Sequence, residues 1–443
     1  MTWLVVGSLL PSFAIALAAG RLARRVSPAL GLVDHPGERK IHAAPMPTGG
    51  GLAVWLAVVL PLAAGQLVLW LLLRGGAHAA PPAWLPEFIA PHLPGLWQQS
   101  GRLWTMLAGG TVMLLLGLAD DRRGLDWRVR LGVQTAVATA MVALGWRLTV
   151  FLDVPWLTAV LSVVWIVGLV NSFNMLDNMD GLSAGVAAIG AAMLAAVMLL
   201  APDPTTHQPQ LFIGGFLLVL GGALLGFLWH NRPPARLFMG DSGAYFTGYL
   251  LAMATLTATY AGGGVPRHAI LAPLCVLAVP LYDTASVVAI RLRQGRSPFH
   301  GDKSHFSHRL VELGMTTRQA VLTIYLATAT CGLGALLLHQ VNTTGAAVVL
   351  LMVACVLLLV AILERAGLRG TGAKPRRHRF TAVVHREEEW FVAECPEVGT
   401  ASQGKTFEEA LANLKEATQL YLEEFPRPAS THPIVTTFEV AHA

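Results

Sequence analysis

Long apolar runs alternate with short polar clusters along most of this chain. A helix needs roughly 20 mostly apolar residues to cross the hydrocarbon core of a bilayer, and about eleven runs meet this condition. They cover residues 3–20, 50–73, 104–119, 131–150, 155–172, 182–201, 211–230, 243–261, 269–290, 319–339 and 344–363. The pattern predicts an all-α polytopic membrane protein with about eleven transmembrane helices.

The composition supports a membrane protein. Of the 443 residues, 54% are hydrophobic and only 13% are charged, and the mean hydropathy is +0.57. A soluble globular protein of this length is far less apolar. The cysteines show no spacing typical of a disulfide framework or a zinc site.

Basic residues in short loops stay on the cytoplasmic side of a membrane, so their distribution predicts the orientation. Placing the N-terminus outside assigns one basic set to the cytoplasm: Arg21, Arg24, Arg25, Arg39, Lys40, Arg122, Arg123, Arg128, Arg130, Arg232, Arg236, Arg291, Arg293, Arg296, Lys303, Arg309 and Arg318. The opposite loops and helix ends hold only Arg74, Arg102, Arg147 and Arg267. We therefore expect a multi-pass protein of the cell (inner or plasma) membrane, with the tail from Glu364 onward in the cytoplasm.

The same distribution bears on processing and on partners. No basic residues precede the first apolar run, so we do not expect it to be a cleaved signal peptide. The pI near 9.2 follows from the inward-facing arginines. It indicates that membrane lipids or phosphate groups are partners, and we expect no nucleic acid to bind.

The composition changes after the last apolar run. A basic, Gly- and Pro-containing linker at 369–379 separates a membrane domain at 1–368 from a small α+β domain at 380–443. The latter reads as strand, turn, strand, loop and helix, followed by a final strand at 435–440. Thr406 is the expected N-cap of the helix, with Glu409 three residues on.

Five polar clusters fall at the predicted cytoplasmic helix ends. They are DHPGERKIHAAPMPTGGG (34–51), DDRRGLDWRVR (120–130), NSFNMLDNMDG (171–181), RLFMGDSG (236–243) and YDTASVVAIRLRQGRSPFHGDKSHFSHRL (282–310). Ionisable residues are costly at membrane depth, so their convergence on one side predicts a single functional site on the cytoplasmic face.

The residue types indicate what binds there. Carboxylates are hard oxygen ligands that suit Mg²⁺ or Mn²⁺. The clusters contain Asp120, Asp121, Asp177, Asp180, Asp241, Asp283 and Asp302. Cations suited to phosphate oxygens lie beside them: Arg128, Arg130, Arg296, Lys303, His305, His308 and Arg309. Together they predict a nucleotide or pyrophosphate substrate and phosphoryl-transfer chemistry.

The five clusters, in this order, resemble the motifs of the polyprenyl-phosphate N-acetylhexosamine-1-phosphate transferases. The resemblance covers about residues 20–315. It implies transfer of a sugar-1-phosphate from a UDP-N-acetylhexosamine to undecaprenyl (polyprenyl) phosphate, with release of UMP, to initiate a cell-surface polysaccharide. The first motif is similar to that of the branch using UDP-GlcNAc; the phospho-MurNAc-pentapeptide transferases are the alternative.

The resemblance also implies roles for individual residues. The metal ligands would be Asp241 and Asn174, which would bind Mg²⁺, with Mn²⁺ as the alternative ion. Phe238 matches a position that packs on uracil, and Asp180 one that hydrogen-bonds the base. The remaining candidates are the acidic pair Asp120 and Asp121 near the lipid phosphate, Arg130, His305, His308 and Arg309 around the pyrophosphate and sugar, and the substrate-binding residues Asp177, Lys40 and His42.

Two positions depart from the family pattern. Asn178 stands in DNMDG, where the usual DGxDG has a glycine. Ser307 stands, after Phe306, between His305 and His308, where the usual motif carries adjacent histidines. Both departures concern contacts to the base and the sugar, and neither removes a carboxylate.

The tail resembles a different family. Residues 378–440, with QGKTFEEA at the helix start, are similar to HicB-like antitoxin domains. No adjacent DNA-binding element follows, so we expect an oligomerisation or regulatory module. The first of these would make the protein a homo-oligomer.

Two rival functions belong to other classes. A secondary transporter also carries ionisable residues, but near mid-span. In a third reading the tail is the main functional unit and is merely tethered to the membrane.

Overall fold

The computed structural model describes residues 2–34, 45–74, 90–148, 154–201, 203, 208–260, 266–298, 304–371 and 380–424. For 364–371 and 423–424 the description is limited to the backbone. The chain forms two compact units, Met1–Leu368 and Arg369–Ala443.

The first unit is a bundle of α-helices. They are α1 (Thr2–Val26), α2 (Gly50–Arg74), α3 (Leu93–Gln98), α4 (Ser100–Arg123), α5 (Trp127–Ala143), α6 (Pro155–Leu176), α7 (Leu182–Leu200), α8 (Leu211–Asn231), α9 (Gly240–Thr257), α10 (Ala272–Val276), α11 (Ala278–Arg293), α12 (Phe306–Glu312), α13 (Thr317–Leu337) and α14 (Thr343–Thr371). Short 3₁₀ turns cover Ala90–His92 and Arg267–Leu271. An antiparallel two-stranded ribbon joins β1 (Val33–Asp34) to β2 (Met46–Pro47).

Each predicted apolar run coincides with a helix or with the bent pair α10 and α11. In the described part of the chain, eight helices are long and apolar enough to cross a membrane. The bent pair, whose axes differ by 67°, would be a ninth. Pro280 in α11 lacks a backbone N–H to donate across the break. Helix α5 has only 17 residues, and α9 begins with polar residues, so the count of eleven spans stays a prediction.

Small residues allow the helices to pack closely. Helix α8 packs between α1 and α7, and α9 packs against α2, α4 and α6. Gly222 and Gly226 of α8 face the carbonyl oxygens of Leu9 and Phe13 in α1, so close that a Cβ atom would collide with them. Close backbone approach at paired small residues is typical of membrane helices. Residues 242–256 of α9 are buried throughout, which makes this helix the centre of the bundle.

The second unit is a sheet packed against one helix. Strands β3 (Val383–Glu387), β4 (Trp390–Cys395) and β5 (Thr400–Gly404) are antiparallel in that order. Helix α15 (Phe407–Glu424) buries Ala410 and Leu414 against Ala393 and Cys395. The predicted N-cap is confirmed, because Thr406 Oγ1 accepts a hydrogen bond from Glu409 N at 3.1 Å.

One prediction about the tail is wrong. The segment expected to be a loop before α15 contains β5, whose sequence TASQG is small and polar and lacks the apolar alternation that indicates a strand. Helix α14 extends beyond the apolar run ending at 363, to Thr371. The final strand expected at 435–440 lies outside the described residues.

Candidate active site at one end of the helix bundle

Two of the sequence motifs join where α2 and α9 begin. Gly50 N donates to Phe238 O and Gly51 N to Met239 O, each at 3.0 Å, while Phe238 N donates to Pro47 O at 2.9 Å. The PTGGG segment therefore lies directly against FMGDSG, and the Phe238 side chain is half-buried at this junction. The residues of these two motifs belong to one site.

Asp121 at the end of α4 holds the first turn of α9. Its Oδ1 accepts from Asp241 N at 2.8 Å and its Oδ2 from Ser242 N at 3.2 Å. The first N–H groups of a helix have no partner within the helix, and a carboxylate satisfies them. Gly240 has a φ of +69°, and a Cβ there would lie 2.7 Å from Asp121 Oδ2 and 2.8 Å from Thr48 O. A glycine is therefore required for this approach.

The neighbouring carboxylate, Asp120, is buried and fully engaged. Its Oδ1 accepts from Leu125 N at 2.8 Å. Its Oδ2 accepts from Arg130 Nη1 at 3.0 Å and from the Tyr245 hydroxyl at 2.9 Å. This carboxylate ties α4 to α5 and α9, and it fixes the guanidinium of Arg130 beside the site. Tyr245 could not be identified from the sequence, because no motif spacing distinguishes it from the other core aromatics.

A second acidic group lies around the end of α6. Asn174 Nδ2 donates to Asp241 Oδ1 at 2.5 Å. Asp177 lies just beyond α6, where burial, and then the charges of Asp121 and Asp180, raise its pKa to about 8. A carboxylate that is hard to ionise for these reasons gains most from a nearby cation.

These residues fit a magnesium ion. Carboxylate and amide oxygens are the ligands that Mg²⁺ prefers, and it is often held by one or two carboxylates together with waters and substrate phosphates. In the described ranges, no three His, Cys, Asp or Glu side chains already lie at metal-binding spacing.

The loop between α6 and α7 is held against the segment before α9. Asp180 Oδ2 accepts from Ala235 N at 2.8 Å. Gly181 N donates to Asn231 Oδ1 at 3.0 Å, and Asn231 Nδ2 donates to Leu237 O at 3.0 Å. One oxygen of Asp180 thus holds the segment before α9, which contains Phe238, the residue expected to pack on the base.

The histidine motif depends on a carboxylate of α11. His305 Nδ1 donates to Asp283 Oδ2 at 3.0 Å, and Phe306 N donates to Asp283 Oδ1 at 2.7 Å. Asp283 and His305 are buried, and the His308 ring lies 6.4 Å from that of His305. From the sequence, Asp283 is expected among the carboxylates suited to a metal. The structure differs, because both carboxylate oxygens bind α12.

Arg309 is fixed by the same two helices. Its Nη1 donates to Ser304 O at 2.8 Å and its Nη2 to Ser286 Oγ at 2.9 Å. Ser307 of this motif donates through Oγ to Asn178 Oδ1 in the loop between α6 and α7. This bond joins the histidine motif to the loop that carries Asp177 and Asp180. The described candidate residues lie at one end of the bundle. Lys40 and His42 lie outside the described residues.

Comparisons with known proteins agree with the motifs. The family model of glycosyl transferase family 4 matches residues 103–259. A decaprenyl-phosphate N-acetylglucosaminephosphotransferase of Mycobacterium tuberculosis is 33% identical over 372 residues, which cover 77% of this chain and 85% of that protein.

Two further relatives carry similar names. A probable undecaprenyl-phosphate N-acetylglucosaminyl 1-phosphate transferase of Bacillus subtilis is 28% identical over 390 residues, 86% of this chain and 98% of that protein. An undecaprenyl-phosphate alpha-N-acetylglucosaminyl 1-phosphate transferase of Escherichia coli is 28% identical over 324 residues, 69% and 76% of the two chains. The family predicted from the motifs is confirmed: this chain belongs to the polyprenyl-phosphate N-acetylglucosamine-1-phosphate transferases of glycosyl transferase family 4.

Proposed function

We propose that this protein transfers N-acetylglucosamine-1-phosphate from UDP-GlcNAc to a polyprenyl phosphate and releases UMP. The observation that carries the proposal is the convergence of acidic and basic side chains at one end of a bundle whose relatives are named for this transfer. The product would be a lipid-linked pyrophosphoryl sugar, the first intermediate of a cell-surface polysaccharide. The relatives named above support the GlcNAc branch over the phospho-MurNAc-pentapeptide branch.

Asp241 and Asn174 are the residues that would hold Mg²⁺, with Asp177 beside them. When bound, the ion supplies neutralisation of the negative charge on the diphosphate of the substrate. Support comes from the hydrogen bond between the two proposed ligands and from the raised pKa of Asp177.

The reaction is a displacement at the β-phosphorus of UDP-GlcNAc. An oxygen of the lipid phosphate forms a bond to this phosphorus, and the bond to the oxygen bridging the two phosphates breaks, so that UMP leaves with that oxygen. Arg130, which Asp120 fixes at 3.0 Å, and Arg309, which Ser286 fixes at 2.9 Å, would orient the phosphates. Positioning and electrostatics supply most of the catalysis in such reactions.

Direct attack by the lipid is favoured over a covalent enzyme intermediate. Asp120 accepts three hydrogen bonds, and Asp121 accepts two from the start of α9. A carboxylate would have to break such bonds before it could attack phosphorus. These contacts support a role in holding the site for both side chains.

The site would face the cytoplasm in a multi-pass arrangement with the N-terminus outside. Support comes from Arg122 and Arg123 in the last turn of α4, the helix whose end carries Asp120 and Asp121. A secondary transporter is disfavoured, because Asp120, Asp121 and Asp241 lie in the end turns of α4 and α9 and Asp177 lies just beyond α6, and not at mid-span.

The test is a substrate panel with purified protein in detergent and Mg²⁺. UMP release should require undecaprenyl phosphate and should be faster with UDP-GlcNAc than with UDP-GalNAc or UDP-MurNAc-pentapeptide. Release with the pentapeptide substrate alone would move the protein to the other branch of the family. Absence of release with all three substrates, from folded protein, would reject the transferase function.

A further inference from the structure

A hydrogen bond joins two side chains from distant parts of the chain, Asn178 and Ser307. Ser307 Oγ donates to Asn178 Oδ1 at 2.5 Å, across 129 residues of sequence. Asn178 Nδ2 donates in turn to Met175 O at 2.8 Å, which fixes the orientation of the amide. Ser307 is buried, with 1% of its surface exposed. The bond is therefore part of the framework of the site.

The bond connects the two sides of the site. Asn178 follows Asp177 in the loop between α6 and α7, next to the proposed metal and nucleotide residues. Ser307 lies in the first turn of α12, between His305 and His308. Asp283 holds α12 to α11, whereas Ser307 holds α12 to the nucleotide side. The distance between these two sides matters for a substrate that spans both, as a sugar nucleotide does.

The bond needs both side chains. A glycine at 178 would have no side chain to accept it, and an alanine at 307 would have no hydroxyl to donate it, so each residue supplies the partner of the other.

We propose that Asn178 and Ser307 form a positioning pair that sets the affinity for the UDP-sugar by fixing α12 against the loop between α6 and α7. The proposal rests on the proposed function, since it assumes that a UDP-sugar spans these two sides. Neither side chain is assigned a chemical step. A hydrogen bond between uncharged groups makes a modest net contribution, so losing it should weaken binding by about 3- to 10-fold.

The test is a double-mutant cycle with Ser307→Ala, Asn178→Ala and the double variant. The dissociation constant for UDP-GlcNAc is measured by calorimetry without lipid, and kcat and both KM values by UMP release. Each single variant should bind UDP-GlcNAc about 3- to 10-fold more weakly, and the double variant no more weakly than the worse single variant. The kcat and the KM for polyprenyl phosphate should stay within about twofold, because Asp283, and not this bond, holds the His305 ring.

Ser12→Ala is the matched control. It removes the same hydroxyl from a buried serine of α1, which donates only to Ser8 O at 3.1 Å in the described structure. Additive losses in the double variant, or unchanged affinity in both singles while the wild type turns over, would overturn the positioning pair alone. A wild type that neither binds nor turns over UDP-GlcNAc would overturn the proposed function, and the affinity role with it.

Discussion

The carboxylates of the site differ in the partners that they bind. Asp120, Asp121 and Asp283 accept hydrogen bonds from backbone or side-chain donors of other helices and loops, which commits both oxygens of each. Asp241 Oδ1 accepts a hydrogen bond from the Asn174 amide. Asp177 is partly buried, and the charges of Asp121 and Asp180 help to raise its pKa. The first three hold the framework, and the last two are the groups to which a cation adds most.

Asp283→Asn tests the framework at the histidine motif. An amide has one acceptor oxygen, so it cannot accept from both His305 Nδ1 and Phe306 N as the carboxylate does. We expect kcat to fall by about tenfold or more, in line with losses on removing a partner that orients a functional histidine. Glu312→Gln, which removes an exposed carboxylate from the end of α12, is the control and should retain its kcat. Equal rates in the two variants would contradict the role of Asp283.

Asp177 predicts a pH-dependent stability of the metal-free protein. Burial and neighbouring carboxylates raise its pKa from 3.8 to about 8 on folding. Between these values the native state binds more protons than the unfolded state, so stability falls as the pH rises through this window. The melting temperature in detergent with a chelator should fall from about pH 5 to about pH 9, and Mg²⁺ should restore part of it at the upper end. Asp177→Asn should flatten the dependence; an unchanged slope would contradict the assignment.

Among the elements, the contact between α4 and α9 determines where Asp121 lies. A Cβ at Gly117 would collide with the backbone of Ser242 in the first turn of α9, which cannot move aside as a flexible side chain could. We expect Gly117→Ala to separate the two helices, to lower the melting temperature by several degrees and to reduce UMP release at least tenfold. Gly132→Ala in α5 is the control, because nothing lies within 4 Å of a Cβ there. If Gly117→Ala behaves like this control, the contact does not position Asp121.

The helices and strands also show which parts of the fold the apolar pattern of the sequence predicts. Apolar runs predict a helix wherever a membrane-facing or buried face is long, and each such run contains a helix. Strand β5 has no such pattern, since TASQG pairs through its backbone. At the site, the motifs indicate which helix ends carry the chemistry. They do not show that Asp283 binds His305 or that Ser307 binds Asn178, because such pairs join residues 22 and 129 positions apart.

For the molecule as a whole, the division into two units predicts separable functions. The acidic and histidine groups of the site belong to Met1–Leu368. A chain ending at Thr371, which retains all of α14, should therefore keep kcat and both KM values within about threefold of the full chain. The kinetic constants are measured by UMP release, and the folding of the purified protein is checked by size-exclusion chromatography in detergent. Complete loss of activity from folded protein would favour the reading in which the tail is the main functional unit. The HicB-like character of the tail stays a prediction.

The central claim is that a membrane-embedded bundle carries out metal-assisted sugar-phosphate transfer at the end where Asp241 lies. The most direct measurement is UMP release from UDP-GlcNAc and undecaprenyl phosphate by the wild type, Asp241→Asn and Asp126→Asn. Asp126 is exposed and caps α5 by accepting from Arg128 N at 2.8 Å, a bond that asparagine can also accept. We expect release that depends on lipid and Mg²⁺, is reduced at least 100-fold in Asp241→Asn and is retained in Asp126→Asn. Equal release by all three proteins would contradict the claim.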